Sequence, residues 1–127
     1  LWGGTLGPDF DCSGLVQTAF ASQSIWIPRD AYQQEIFCKN LNITLKDLNK
    51  LEIGDLLFFG PKEFCNHVAI YKGNGLYWHS SGKDHGLNGI GVNGIEEGDK
   101  NLIACYYRSI FRSAGRVIRC HDGIDPL

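Results

Sequence analysis

The sequence lacks two features that would point to a membrane or to nucleic acid. It has no apolar run of the roughly 20 residues that cross a bilayer. Its 12 Lys and Arg stand against 14 Asp and Glu, a formal net charge of -2, and no basic run is dense enough to follow a phosphate backbone. We therefore expect no membrane insertion and no nucleic-acid partner. A length of 127 residues with 43% hydrophobic residues predicts a single domain over residues 1–127.

The sequence also lacks a CxxC pair. Its cysteines are odd in number and irregularly spaced: Cys12, Cys38, Cys65, Cys105 and Cys120. This pattern argues against a complete disulfide framework. Reduced thiols fit it better, and they are typical of an intracellular or reducing compartment.

Turn residues and hydrophobic periodicity predict helices first and strands later. A helix is expected over residues 12–21, because apolar residues recur there at helical spacing, and a second one over residues 29–35 with Asp30 as N-cap. Strands are expected over residues 56–59, 68–71, 76–78, 102–111 and 116–119, with a loop-rich stretch at 81–99. The Gly73-Asn74-Gly75 turn predicts a hairpin, and Trp78 is expected to face the core. Without βαβ alternation, the fold class is α+β with an antiparallel sheet.

Cys12 allows two interpretations. On a helix it shares a stripe with Leu15, Val16 and Ala19, which favours a buried structural thiol. Its place in the first helical turn favours a thiolate, the form that attacks substrates. Asp11 acts in the opposite sense, because it disfavours a second negative charge nearby.

A thiol nucleophile also needs a base, which is normally a histidine oriented by a third polar group. His67 opens the first hairpin strand and His79 closes the second, and the two are equally distant from Gly73. A turn with an odd number of loop residues centred on Gly73 would place both imidazoles opposite each other on one side of the sheet. Cys12, His67 and His79 therefore form a candidate catalytic set, whereas His85 and His121 receive no role.

Five segments, in matching order, resemble the NlpC/P60 family of cysteine peptidases: DFDCSGLVQ, GDLLFF, HVAIY, GLYWHSSG and AGRVIR. More narrowly, LWGG, IWIPRDAYQQE and HSSGKDHGLNGIGV resemble the cyanobacterial γ-D-glutamyl-L-diamino acid endopeptidases of that family. The resemblance implies a papain-like α+β fold, in which an N-terminal helix carrying the nucleophile packs on a central antiparallel sheet. It implies no cofactor.

The resemblance also implies roles for individual residues. Cys12 is then the nucleophile, His67 the general base and His79 the residue that orients His67. Asp11 and Ser13 hold the free amino group of the L-Ala that begins a peptidoglycan stem peptide. The bond cleaved joins γ-D-glutamate to a diamino acid, either diaminopimelate or lysine.

The resemblance further implies parts of a longer protein. In the family a tyrosine commonly precedes the Leu-Trp-Gly-Gly stretch and helps to shape the active site, and one or more SH3-like domains lie upstream. Localisation stays open between two alternatives. The odd number of cysteines favours recycling of wall peptides in the cytoplasm, whereas the substrate class favours the cell envelope or periplasm.

Two further functions remain as alternatives. Cys65, His67 and His79, with His85 as a possible fourth residue, offer ligands that zinc accepts, although their spacing is irregular. The other alternative is a noncatalytic module that keeps the fold and binds peptidoglycan without cleaving it.

Overall fold

The computed structural model describes residues 11–82 and 89–121, so the Leu-Trp-Gly-Gly motif and His85 lie outside the described residues. The helices are α1 (Cys12–Ala21), α2 (Ala31–Phe37) and α3 (Leu102–Ser109), and a 3-10 turn covers Leu48–Lys50. The strands are β1 (Lys39–Asn40), β2 (Leu56–Phe59), β3 (His67–Gly73), β4 (Leu76–Ser81), β5 (Gly89–Gly94) and β6 (Phe111–Arg116). This mixture of helices and an antiparallel sheet confirms the predicted α+β class.

All strands join one sheet in the order β1-β6-β2-β3-β4-β5, and every neighbouring pair is antiparallel. Alternate residues of β2 enter different apolar clusters, as expected for a strand buried on both faces. Leu56 and Phe58 pack with Val16 of α1, whereas Leu57 and Phe59 pack with Tyr107 of α3. No helix within residues 11–82 and 89–121 has the length and apolarity needed to cross a bilayer.

Helix α1 begins where the sequence predicts, because its cap is local. The Asp11 carboxylate accepts a hydrogen bond from the Gly14 N–H at 2.6 Å, which satisfies one of the backbone donors left unpaired at a helix start. Val16 is fully buried against the sheet. The predicted range of 12–21 is confirmed, and α1 holds Cys12 in its first turn.

The hairpin between β3 and β4 forms as predicted, but its register differs from the expectation. Gly73, Asn74 and Gly75 all have positive φ, which glycine and asparagine tolerate best. Ile70 pairs with Trp78, so the ladder centres on Asn74, and the register shifts only next to the turn. The expectation that His67 and His79 lie directly opposite each other is therefore wrong. They are offset by two residues, which keeps both on the same face of the sheet.

Four further expectations are corrected by the structure. The apolar stretch at 102–111 is mostly the helix α3, because Asn101 caps its first turn, and the following strand is β6 rather than residues 116–119. The stretch at 81–99 contains the strand β5, which pairs with β4 over its whole length. Trp78 is 43% exposed, and its neighbour Tyr77 fills the core instead.

Candidate active site

The Cys12 thiol lies at the end of β3 that carries His67. The Cys12 side chain is buried, and its Sγ is 3.8 Å from the carbonyl oxygen of Asn66, the residue before His67. Burial, with a smaller contribution from the Asp11 carboxylate, raises the pKa of the Cys12 thiol to about 11, although a hydrogen bond from the Val68 backbone acts in the opposite direction. The favourable effect expected from the helix start is therefore outweighed by burial, and the resting thiol carries its proton.

The two histidines of the hairpin are joined by a hydrogen bond of 2.9 Å between His67 Nε2 and His79 Nδ1. The His67 ring stacks on Tyr107 of α3, with 4.3 Å between the ring centroids. Burial lowers the pKa of His67 well below its ordinary value, and the neighbouring His79 lowers it further. Burial also lowers the pKa of His79. Both imidazoles are consequently neutral at neutral pH.

The hydrogen bonds continue beyond His79 into two asparagines that sequence reasoning missed. His79 Nε2 is 2.7 Å from Asn93 Oδ1 on β5, and Asn93 Nδ2 is 3.3 Å from Asn101 Oδ1. Asn101 is the N-cap of α3 and accepts hydrogen bonds from the backbone N–H groups of Ile103 and Ala104. An asparagine ahead of a helix is a recognisable cap signal, but the residues that follow Asn101 favour a strand by their composition.

The residues on either side of Cys12 are linked by Arg29. Its Nη2 is 2.9 Å from Asp11 Oδ2, and its Nη1 is 2.8 Å from Ser13 Oγ. Asp30 is the N-cap of α2, and its N–H is 3.3 Å from Gln33 Oε1. The ion pair of Arg29 with Asp11 therefore lies at the candidate site for the substrate amino group.

No group of three His, Cys, Asp or Glu side chains within residues 11–82 and 89–121 is arranged to hold a metal ion. The Cys65 thiol donates to the carbonyl oxygen of His67 at 3.2 Å. His85, the possible fourth ligand of a zinc site, lies outside the described residues. All five cysteines are free thiols.

The described residues thus bring Cys12 to the strand end that carries His67, and His67 to His79. Asp11 and Ser13 adjoin this group and are bridged by Arg29. The assembled chemistry is a thiol, a pair of neutral imidazoles and a carboxylate, all close to the start of a helix.

The chain is similar in sequence to known proteins. Residues 1–112 match the model of the NlpC/P60 family. A γ-D-glutamyl-L-lysine dipeptidyl-peptidase of Bacillus cereus is 38% identical over 96 residues, which cover 73% of this chain and 27% of that protein. The bifunctional muramidase/DL-endopeptidase CwlT of Bacillus subtilis is 35% identical over 121 residues, covering 91% of this chain and 31% of that protein. The chain thus spans about a third or less of the length of these curated relatives.

The fold agrees with the sequence match. A solved structure from Staphylococcus aureus, described as similar to a lipoprotein of the NLP/P60 family, superposes with a TM-score of 0.70 at 27% identity. The superposition covers 94% of this chain and 36% of that one, and it confirms the predicted papain-like fold. The matched residues 1–112 make up most of the chain. This chain belongs to the NlpC/P60 family.

Proposed function

We propose that the protein is a cysteine peptidase that hydrolyses the bond between γ-D-glutamate and a diamino acid in peptidoglycan stem peptides. The observation that carries the proposal is the His67–His79 hydrogen bond of 2.9 Å at the strand end against which the Cys12 thiol lies. A nucleophile, a base and a group that orients the base are the parts that covalent acyl transfer needs. The names of the relatives from Bacillus cereus and Bacillus subtilis support peptidoglycan peptides as the substrate class.

In this mechanism His67 accepts the Cys12 proton and the sulfur attacks the γ-carbonyl carbon of D-glutamate. Since Nε2 of His67 is bonded to His79, the proton goes to Nδ1. Collapse of the tetrahedral intermediate breaks the amide bond, and the His67 proton passes to the departing amine of the diamino acid. A water molecule, deprotonated by His67, then attacks the thioester, which releases L-Ala-D-Glu and restores the thiol.

The start of α1 supplies donors for the negative oxygen of the tetrahedral intermediate. Asp11 accepts hydrogen bonds from two of the first N–H groups of the helix. Its side chain accepts from the Gly14 N–H, and its backbone carbonyl accepts from the Leu15 N–H. The N–H groups of Cys12 and Ser13 come earlier in the turn, where an α-helix offers no internal acceptor. We assign the Cys12 N–H to the oxyanion, because it belongs to the same residue as the attacking sulfur.

Asp11 and Ser13 are assigned to the free amino group of the L-Ala residue. A carboxylate has about four lone-pair positions, and at Asp11 one oxygen faces Gly14 and the other faces Arg29. Capacity for an ammonium group therefore remains, although the ammonium would share the carboxylate with a guanidinium. An SH3-like domain upstream would restrict the cleft to short peptides with a free N-terminus.

The proposal is tested by incubating L-Ala-γ-D-Glu-diaminopimelate with the 127-residue chain and analysing the products by mass spectrometry. The same assay is run with lysine in place of diaminopimelate, with N-acetylated L-Ala, and with a version of the chain extended at its N-terminus. Release of the diamino acid by the unaltered chain or the extended version, and not by Cys12→Ser, would support the assignment.

A matched control is Cys120→Ser, since Cys120 is an exposed thiol far from Cys12 in sequence. This variant should keep full activity. Release that survives Cys12→Ser, or no release from any of the peptides by either form of the chain, would contradict the proposal. Binding of the peptides without cleavage would favour the noncatalytic alternative.

A further inference from the structure

The N-terminus of α3 fixes the orientation of two side-chain amides. Backbone N–H groups only donate hydrogen bonds, so the Asn101 atom that faces Ile103 N at 2.9 Å and Ala104 N at 3.2 Å is its oxygen. The Asn93 atom 3.3 Å from that oxygen must in turn be a donor, which is the amide nitrogen Nδ2. The carbonyl oxygen of Asn93 is thereby turned towards His79.

The same logic fixes the protons on both histidines. An amide oxygen only accepts, so His79 Nε2, at 2.7 Å from Asn93 Oδ1, carries a hydrogen. In a neutral ring the other nitrogen is then an acceptor, and His79 Nδ1 receives a hydrogen bond from His67 Nε2. His67 therefore holds its hydrogen on Nε2, and its Nδ1 keeps a free lone pair.

We infer that Asn93 and Asn101 are positioning residues that hold His67 in the tautomer able to accept the Cys12 proton. The effect on catalysis rests on the proposed function, whereas the tautomers themselves do not. If the Asn93 amide were reversed, its NH2 group would donate to His79 Nε2, and both rings would move their hydrogens to Nδ1. A neutral His67 with a hydrogen already on Nδ1 cannot take the proton of the thiol.

Two variants at Asn101 separate this role from helix capping. Asn101 is exposed, and serine and aspartate are both good N-caps. Asn101→Ser keeps the cap, but its shorter side chain no longer reaches Asn93. Asn101→Asp keeps both the cap and an acceptor for Asn93. A third variant, Asn93→Leu, has nearly the same shape and removes the acceptor that faces His79.

The first measurement is the tautomeric state of His67 and His79, read from side-chain ¹⁵N shifts by NMR at neutral pH. In the unaltered chain and in Asn101→Asp, both rings should carry hydrogen on Nε2 alone. In Asn101→Ser and Asn93→Leu, we expect a mixture of tautomers on both rings. Pure Nε2–H rings in Asn101→Ser would overturn the inference, and this variant remains informative if Asn93→Leu does not fold.

The second measurement is hydrolysis of the stem peptide. We expect kcat in Asn101→Ser and Asn93→Leu to fall by the fraction of His67 rings that leave the Nε2–H tautomer, so that a variant with one ring in ten in that tautomer loses about tenfold, with little change in KM. Asn101→Asp should retain kcat within about twofold of the unaltered chain, because its acceptor is retained. Unchanged kcat in variants with mixed tautomers would overturn the catalytic consequence.

The two proposals fail in different ways. If the unaltered chain does not cleave the peptide while the tautomers respond as described, the proposed function fails and the role of the asparagines stands. If the unaltered chain cleaves the peptide and the tautomers do not respond, only the positioning role fails.

Discussion

Arg29 forms an ion pair with Asp11, the residue that directly precedes the Cys12 thiol, with 2.9 Å between Nη2 and Oδ2. The Asp11 carboxylate has three roles. It caps α1, raises the pKa of the neighbouring thiol and is assigned to the substrate amino group. Removal of the Asp11 charge should therefore make the Cys12 thiol more reactive and the binding of the substrate amino group weaker.

The first prediction concerns Asp11→Asn, which keeps a good N-cap and removes the negative charge. The pKa of Cys12 should fall, so alkylation of Cys12 by iodoacetamide at pH 8 should become faster. Cleavage of a peptide with a free N-terminal amine should become slower, mainly through a higher KM. Ser13→Ala is the control, because it changes no charge and should leave the alkylation rate unaltered. Equal alkylation rates of Cys12 in Asp11→Asn and in the unaltered chain would show that the Asp11 charge does not raise the pKa of the thiol.

A second prediction separates the two histidines. His67→Asn should lower kcat by at least about 1,000-fold, since the general base is lost. His79→Asn should lower kcat less, by about 10- to 100-fold, because His67 remains and only its orientation suffers. Steady-state kinetics on both variants, with circular dichroism to check folding, gives the comparison. A larger loss in His79→Asn than in His67→Asn would reverse the assigned roles.

The third prediction is a decrease in stability as the pH falls. Folding lowers the pKa of His67 and His79, mainly through burial, whereas in the unfolded chain both rings titrate near 6.5. As the pH drops below about 6.5, the unfolded state takes up protons that the folded state does not, so the free energy of unfolding decreases. The neutral rings contribute their full stability only above that pH.

Urea denaturation at pH 7.5, 6.5 and 5.5 measures this effect. A double variant, His67→Gln with His79→Gln, should lose most of the pH dependence in this window. His121→Gln is the matched control and should keep the pH dependence, since His121 is not part of the hydrogen-bonded pair of His67 and His79. If the free energy of unfolding changes with pH equally in the double variant and in the unaltered chain, other groups control the pH dependence.

A fourth prediction concerns an ion pair that supports the sheet. Asp55 directly precedes β2, and its carboxylate is buried. It accepts hydrogen bonds from Arg116 on β6 at 2.8 and 2.9 Å and from the Glu52 N–H at 2.7 Å. Asp55→Ala should decrease the free energy of unfolding by about 2–3 kcal/mol, since it removes charged hydrogen bonds and leaves Arg116 without this partner.

The control for this prediction uses the same arginine. Glu52 also pairs with Arg116, at 3.2 Å, but its side chain is largely exposed. Glu52→Ala should therefore change the free energy of unfolding by less than about 1 kcal/mol. Both values are measured by urea denaturation. A larger decrease in the free energy of unfolding for Glu52→Ala than for Asp55→Ala would show that the buried carboxylate is not the stabilising partner of Arg116.

Features governed by neighbouring residues could be predicted from the sequence. The bounds of α1 follow from the Asp11 cap and the apolar stripe behind it, and the hairpin follows from the Gly73-Asn74-Gly75 turn. The helix α3 does not follow from its sequence alone, because tyrosine and isoleucine favour a strand. Its helical form depends on the Asn101 cap and on burial of Tyr107 against the sheet.

Contacts between distant residues could not be predicted. Arg29 follows Asp11 by 18 positions, and nothing in the local pattern places its guanidinium there rather than in solvent. The Asn93 side chain reaches His79 only because β5 pairs with β4, and β5 lies in a stretch rich in glycine that was predicted as loop. The offset of His67 and His79 depends on a register shift beside the turn, which the sequence does not specify.

The proposed reaction requires that the Cys12 sulfur forms a thioester with the γ-carboxyl group of D-glutamate. The most direct test is rapid acid quenching of the 127-residue chain with the γ-(4-nitroanilide) of L-Ala-D-Glu, followed by peptide mapping by mass spectrometry. We expect an L-Ala-γ-D-Glu acyl group on Cys12 in the unaltered chain and in Cys120→Ser, formed in step with the release of nitroaniline. An acyl group on another cysteine, or release of nitroaniline by Cys12→Ser at the rate of the unaltered chain, would show that Cys12 is not the nucleophile.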